Sequence, residues 1–198
     1  MNLHLLERAI ALAAIAHEGQ LDGAGVPYIF HPLQVMLSLK DKEGIEVETL
    51  AAAVLHDVVE DTTFTLEDIQ NQFGDKVATL VNALSRRQDC IFCSIEGCQY
   101  PFNEEIHANP IAVKHTWLPA EGEEPYNVFI KRVILAGNEA MLIKEADMMH
   151  NFGRLNTIKD DAKRARLANK YKNAFVQLWR AQGIGTEAQT FVGREPGG

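Results

Sequence analysis

The sequence predicts an all-α fold. Three observations carry this. Apolar residues recur at three-and-four spacing through most of the chain, the gaps between those stretches hold glycine, proline or capping residues, and no alternating run is long enough for a central strand. At 198 residues and 46% hydrophobic composition, the chain has one domain's worth of sequence and enough apolar material for a core.

The first helix is expected over residues 3–17, with Leu6, Ile10, Ala13 and Ala14 at helical spacing and Gly19 as the stop. Residues 20–28 form a loop carrying Gly23, Gly25 and Pro27. The loop leads into His31 at a cap and Pro32 at the first position of a second helix, over residues 32–40. A third helix, over residues 47–61, is rich in Ala, Leu and Val and is expected to be central and buried. Thr65-Leu66-Glu67-Asp68 has the form of a capped start, and Phe73-Gly74-Asp75 breaks the chain before a fifth helix that runs to about Ser85.

The periodicity then lapses. Pro101, Pro110, Pro119 and Gly122 punctuate an irregular insert of residues 88–124, placed between the fifth and sixth helices, with room for a short hairpin. Helical spacing resumes over residues 126–135, 139–155 and 162–181. The expected organisation is one domain over residues 1–182 and a flexible tail over 183–198.

Composition excludes several classes. The N-terminus has no basic segment leading into an apolar core, and stretches such as residues 9–16 fall short of the ~18–20 needed to cross a bilayer. A cytoplasmic protein without membrane contact is expected. A net charge of -8 argues against a surface built to grip nucleic acid. Cys90, Cys93 and Cys98 are odd in number and crowded together, unlike a disulfide framework. With His107 or His115 they offer enough N and S donors for a structural Zn²⁺, the alternative being reduced, unligated thiols.

The chemistry concentrates in Leu55-His56-Asp57-Val58-Val59-Glu60-Asp61. On a continuous helix, His56, Asp57, Glu60 and Asp61 share an arc of about 140°, opposite Val54, Leu55, Val58 and Val59. One imidazole and three carboxylates on a packed helix cost several kcal/mol unless a cation compensates. Otherwise the carboxylates titrate upward, or the helix end is solvated. A ligand set needs more than one helix, and His31 and Asp147 are further candidates. Around Asp147, the residues Lys144, Asn151 and Arg154 form a polar stripe on a helix otherwise lined by Met148, Met149, Phe152 and Leu155.

Several segments together resemble the hydrolase domain of the Rel/Spo alarmone enzymes, and especially the small stand-alone alarmone hydrolases of the HD superfamily. They are Gly25-Val-Pro-Tyr-Ile-Phe-His31-Pro-Leu33, Ala52-Ala-Val-Leu-His56-Asp57-Val-Val-Glu60-Asp61-Thr62, Thr65-Leu-Glu-Asp-Ile69, Phe73-Gly74 and Lys144-Glu-Ala-Asp147-Met-Met-His-Asn151. The likeness covers about residues 1–86 and 125–180, in order. It implies an HD-domain helical bundle and a Mn²⁺-dependent hydrolase that removes the 3′-pyrophosphate from guanosine tetra- and pentaphosphate.

By position, the resemblance makes His31, His56, Asp57 and Asp147 the metal ligands, a mixed N/O set that suits Mn²⁺ or Fe²⁺. Glu60 and Asp61 match the acidic pair that orients and deprotonates the attacking water, Asn151 supports the site, and Tyr171 falls near the nucleotide. Lys144 and Arg154 are candidates for phosphate contact.

Two departures stand out. Asp22 and Gly23 occupy the loop positions where the family carries Arg and Lys, and the insert follows Arg86-Arg87, which could supply replacement charge. A carboxylate at position 22 would repel a pyrophosphate, or favour hydrogen bonding to a base or sugar. The other readings are therefore an HD phosphohydrolase for another nucleotide or phosphorylated metabolite, and a degenerate HD module that senses a nucleotide. The partner in each case is a small molecule, and the sequence does not give an oligomeric state.

Overall fold

A computed structural model describes residues 3–86, 91–93, 117–119 and 126–184. Helix α1 spans Leu3–Ala16, α2 Phe30–Leu39, α3 Val47–Leu55, α4 Val58–Asp61, α5 Leu66–Phe73 and α6 Asp75–Leu84. Strands β1 (Ile91–Cys93) and β2 (Trp117–Pro119) pair antiparallel, Phe92 opposite Leu118, as the hairpin expected of the insert. Helices α7 (Tyr126–Leu135) and α8 (Asn138–Gly153), a 3₁₀ turn at Leu155–Thr157 and α9 (Asp161–Ala181) follow. The fold is all-α, with the insert between α6 and α7. Cys90, Cys98, His107, His115, Arg87 and nearly all of the expected tail lie outside the described residues, so the proposed Zn²⁺ set does too.

The centre of the bundle is α3. Ala51, Ala52, Ala53, Val54 and Leu55 are all fully buried, so the helix is covered on every side, by α1, α2, α6 and α8. Three consecutive alanines let those neighbours approach closely, and alanine has the best helix propensity. Ala9, Leu12 and Ala13 form the buried stripe of α1, while Ala14 is exposed, so the inward face is turned slightly from the expected one.

The α5 start is the capping box read from the sequence: Thr65 Oγ1 accepts from Asp68 N–H at 3.1 Å, and the Asp68 carboxylate accepts from Thr65 N–H at 2.8 Å. Gly74 then serves both α5 and α6 at φ 86°, where a side chain would be strained.

The helix expected over residues 139–155 ends at Gly153, which leaves Arg154 as its C-cap and Leu155 in the 3₁₀ turn. Two further boundaries differ from expectation, and both shape the site. The helix expected over residues 47–61 is broken at His56 and Asp57, so the shared arc of about 140° does not exist. Asp57, with φ -99° and ψ -6°, is instead the N-cap of the short α4, which starts afresh with Asp61 N–H donating to Asp57 O at 2.9 Å. His31 sits inside α2 rather than at its cap, because α2 starts at Phe30.

Arg132, only 7% exposed, locks α7 to the end of α6. Its guanidinium donates to Asn82 O at 2.7 Å, Ala83 O at 3.2 Å and Ser85 O at 2.7 Å, closing carbonyls that a helix C-terminus leaves open. Arg132→Met keeps the aliphatic stem and strands those carbonyls. It is expected to lower the unfolding free energy by about 2–4 kcal/mol, measurable as a lower urea midpoint. No helix among the described residues is long and apolar enough to cross a membrane.

Candidate metal centre

The break after α3 points His56 and Asp57 toward α2 and α8. His31 and His56 are 4% and 0% exposed, Asp147 is 5% exposed, and one donor atom of each lies within 4.8 Å of the others. Asp57 Oδ2 joins them, 2.9 Å from His56 Nε2 and 3.5 Å from His31 Nε2, while Asp147 Oδ1 lies 3.1 Å from His31 Nε2. Two imidazoles and two carboxylates from three parts of the chain thus meet in one buried place.

The imidazoles are held for coordination. His56 Nδ1 faces Ala53 O at 2.8 Å, which fixes its proton on that nitrogen and leaves a lone pair on Nε2. Nε2 is buried and makes no hydrogen bond, despite the nearness of Asp57. An orphaned buried acceptor beside two carboxylates fits a divalent cation.

His31 Nδ1 lies 2.7 Å from His150 Nδ1, so His31 presents Nε2 to the cluster when it donates to a neutral His150. Burial and the neighbouring charge of His31 both push the His150 pKa down, which favours that neutral form. His150 was not among the residues singled out from the sequence, though it stands three positions from Asp147 on the same helical face.

The two carboxylates dominate the electrostatics of the cluster. Burial alone would lower the His31 pKa, but hydrogen bonding to Asp147 and Asp57 outweighs it and raises the value to about 9. His56 shifts up as well, because the charge on Asp57 overcomes its burial. Burial also resists ionisation of Asp147, yet the Lys144 ammonium and the imidazoles hold it far below the carboxylate range. The pocket draws positive charge, from protons or from a metal.

The outer contacts are well defined. Lys144 pairs with Asp147 Oδ2 at 2.7 Å, Asn151 Nδ2 donates to Asp147 Oδ1 at 2.6 Å, and Tyr28 donates its hydroxyl to Asp57 Oδ2 at 2.5 Å. Lys144, read from the sequence as a phosphate contact, is therefore also the electrostatic partner of Asp147.

A cavity of 170 Å³ opens on the cluster, and Glu60, Asp61, Arg86, Tyr126, Lys170 and Tyr171 are among its walls. Glu60 accepts from Arg86 N–H at 2.7 Å. Burial raises the Glu60 pKa against that hydrogen bond, and desolvation and the Asp57 charge raise Asp61. Burial also lifts the Tyr126 hydroxyl to about 12. Tyr126 and Lys170 were not anticipated from the sequence, whereas Arg86 and Tyr171 were. A larger groove of 850 Å³ adjoins, sharing Tyr28, His31, Asn151 and Tyr171, and Asp22 and Arg154 face it.

Residues 9–96, which carry His31, His56 and Asp57, match the HD domain family model. The chain is 32% identical over 179 residues to the bifunctional (p)ppGpp synthase/hydrolase SpoT of Escherichia coli, covering 90% of this chain and 22% of that protein. It is 30% identical over 185 residues to the guanosine-3′,5′-bis(diphosphate) 3′-pyrophosphohydrolase of Vibrio cholerae, covering 92% of this chain and 22% of that one. The chain thus spans about a fifth of the length of the curated relatives it matches. Among solved structures, a metazoan ortholog of SpoT described as hydrolysing ppGpp superposes with a TM-score of 0.61 at 23% identity, over 91% of this chain and 97% of that one.

Proposed function

We propose that the protein is a Mn²⁺-dependent (p)ppGpp 3′-pyrophosphohydrolase. The observation that carries this reading is the orphaned Nε2 of buried His56, aimed at two carboxylates beside a cavity whose walls mix Arg86, Lys144 and Lys170 with Glu60 and Asp61. The names of the relatives supply the substrate. His31, His56, Asp57 and Asp147 would hold the ion, a donor set that suits Mn²⁺ and accommodates Fe²⁺. Once bound, the ion supplies Lewis acidity to a phosphoryl oxygen and makes a water more acidic.

The chain's own residues do the rest. Glu60 and Asp61 take the proton of the attacking water, and their raised pKa values make them better bases than free carboxylates. The water oxygen bonds to the phosphorus attached to O3′, the O3′–P bond breaks, and the 3′ oxygen is protonated, giving pyrophosphate and GDP or GTP. Lys144, Arg86 and Lys170 at the cavity wall offset the charge of the reacting phosphates. Tyr171, shared by cavity and groove, packs near the nucleotide.

Asp22 bears on the substrate. Its carboxylate does not face the cavity as an uncompensated charge, because it pairs with Arg154. Two backbone N–H groups and that pairing hold its pKa at about 2. Repulsion of a pyrophosphate, expected from the sequence, is therefore largely cancelled.

Product analysis after incubation with Mn²⁺ and a panel of guanosine and adenosine 3′,5′-bisphosphorylated nucleotides and ordinary nucleoside phosphates tests the reading. Pyrophosphate and GDP from ppGpp are expected. Turnover confined to ordinary nucleoside phosphates would overturn the substrate, and no turnover with metal bound would favour a sensor.

The outer contact on His31 gives a separate expectation. His150→Ala removes the group that orients the imidazole and should weaken Mn²⁺ binding by about 10–100-fold in a metal titration, without unfolding the chain.

A further inference from the structure

Hydrolysis at the 3′ side moves two protons: one leaves the attacking water, and one must reach O3′ as its bond to phosphorus breaks. Attacking and leaving oxygens lie in line on opposite sides of the phosphorus, so Glu60 and Asp61, which take the first proton, are on the wrong side to deliver the second. The donor must be another group at the 170 Å³ cavity.

Most donors in that cavity are occupied. Tyr28 donates to Asp57 Oδ2, Asn151 donates to Asp147 Oδ1, and Lys144 pairs with Asp147 Oδ2. Arg86 gives up no proton, because a guanidinium stays charged. The Lys170 ammonium lies against the Tyr126 ring, 3.9 Å from its centre. Two phenols remain, Tyr126 and Tyr171, whose hydroxyls make no hydrogen bond among the described residues. Tyr171 also lines the adjoining groove, whereas Tyr126 lines the cavity and not the groove.

The Tyr126 ring is held firmly. It opens α7, packs on buried Phe129 with ring centres 5.8 Å apart, and lies beneath two cations, Lys170 and, at 5.8 Å, Arg86. Burial keeps its hydroxyl protonated up to about 12, against the charges of Lys144 and Arg86, which steady the phenolate once the proton has gone. An alkoxide is a stronger base than a phenolate, so transfer to O3′ runs downhill.

We propose that Tyr126 is the general acid that protonates the leaving 3′ oxygen. As the O3′–P bond breaks, its electron pair stays on O3′ and takes the phenol proton, and the phenolate regains a proton from solvent. The proton of the attacking water leaves through Glu60 and Asp61, so the chain ends the cycle unchanged. The inference rests on the reading that a 3′-pyrophosphate is hydrolysed.

The test compares the Mn²⁺-loaded chain with its Tyr126→Phe variant on ppGpp and on the analogue with sulfur in place of the bridging 3′ oxygen. Phenylalanine keeps the ring, with its packing on Phe129 and its two cations, and loses only the hydroxyl. A thiol ionises far more readily than an alcohol, at about pH 8.5 in cysteine, so the sulfur departs without a proton. For ppGpp, kcat of the variant should fall about 10²–10³-fold, with KM and Mn²⁺ stoichiometry held. For the sulfur analogue, kcat should be the same in both proteins, a split that general loosening of the fold would not produce. An unchanged kcat on ppGpp, or an equal loss on both substrates, would overturn the general acid and leave the hydrolase reading intact. Failure of the wild type to cleave ppGpp would remove the hydrolase reading, and the general acid with it.

Discussion

His56→Ala is expected to abolish metal uptake and turnover together. His56 is fully buried, its Nδ1 is committed to Ala53 O, and its Nε2 is aimed at Asp57 and Asp147 with no hydrogen bond of its own. Losing an outer contact on a ligand typically costs 10–100-fold in metal affinity, so losing the ligand should cost more than about 100-fold. Mn²⁺ should raise the melting temperature of the wild type, because an ion that binds only the folded state stabilises it. The same addition should leave the variant's melting temperature unmoved. A variant that retained full activity with no ion bound would remove the metal from the account.

Glu60→Gln separates chemistry from binding. Glutamine keeps an oxygen for the Arg86 N–H and nearly the same volume, so the fold and metal affinity should be preserved. What disappears is a half-buried carboxylate whose pKa is raised by desolvation, the property that suits a base working near neutral pH. A loss in kcat of about 10²–10⁴ is expected, with metal stoichiometry unchanged by elemental analysis. An unaltered kcat would transfer the proton to another group, of which Asp61 is the nearest in role.

Local signals were the legible part of this fold. The Thr65/Asp68 capping box and the Gly74 joint are written in a few adjacent residues, and α7 matches its periodic stretch at both ends. The site was legible where side chains repeat on one face, as with Lys144, Asp147 and Asn151, all of which line the cavity.

Features that depend on distant partners were not. Nothing in the stretch around His56 forbids a continuous helix, and the break is accompanied by the tertiary hydrogen bond from Tyr28 to Asp57, residues 29 apart in sequence. Likewise, Asp22 reads as an uncompensated acid until Arg154, 132 residues later, is found beside it. His150 escaped notice because its role comes from a ring on α2 rather than from its own helix.

The most direct measurement is ppGpp turnover by protein stripped of metal with a chelator and then titrated with Mn²⁺. The stripped protein is expected to give no product, with GDP and pyrophosphate appearing in step with Mn²⁺ occupancy of one site that His56→Ala destroys. Equal turnover before and after stripping, or none at full occupancy, would contradict it.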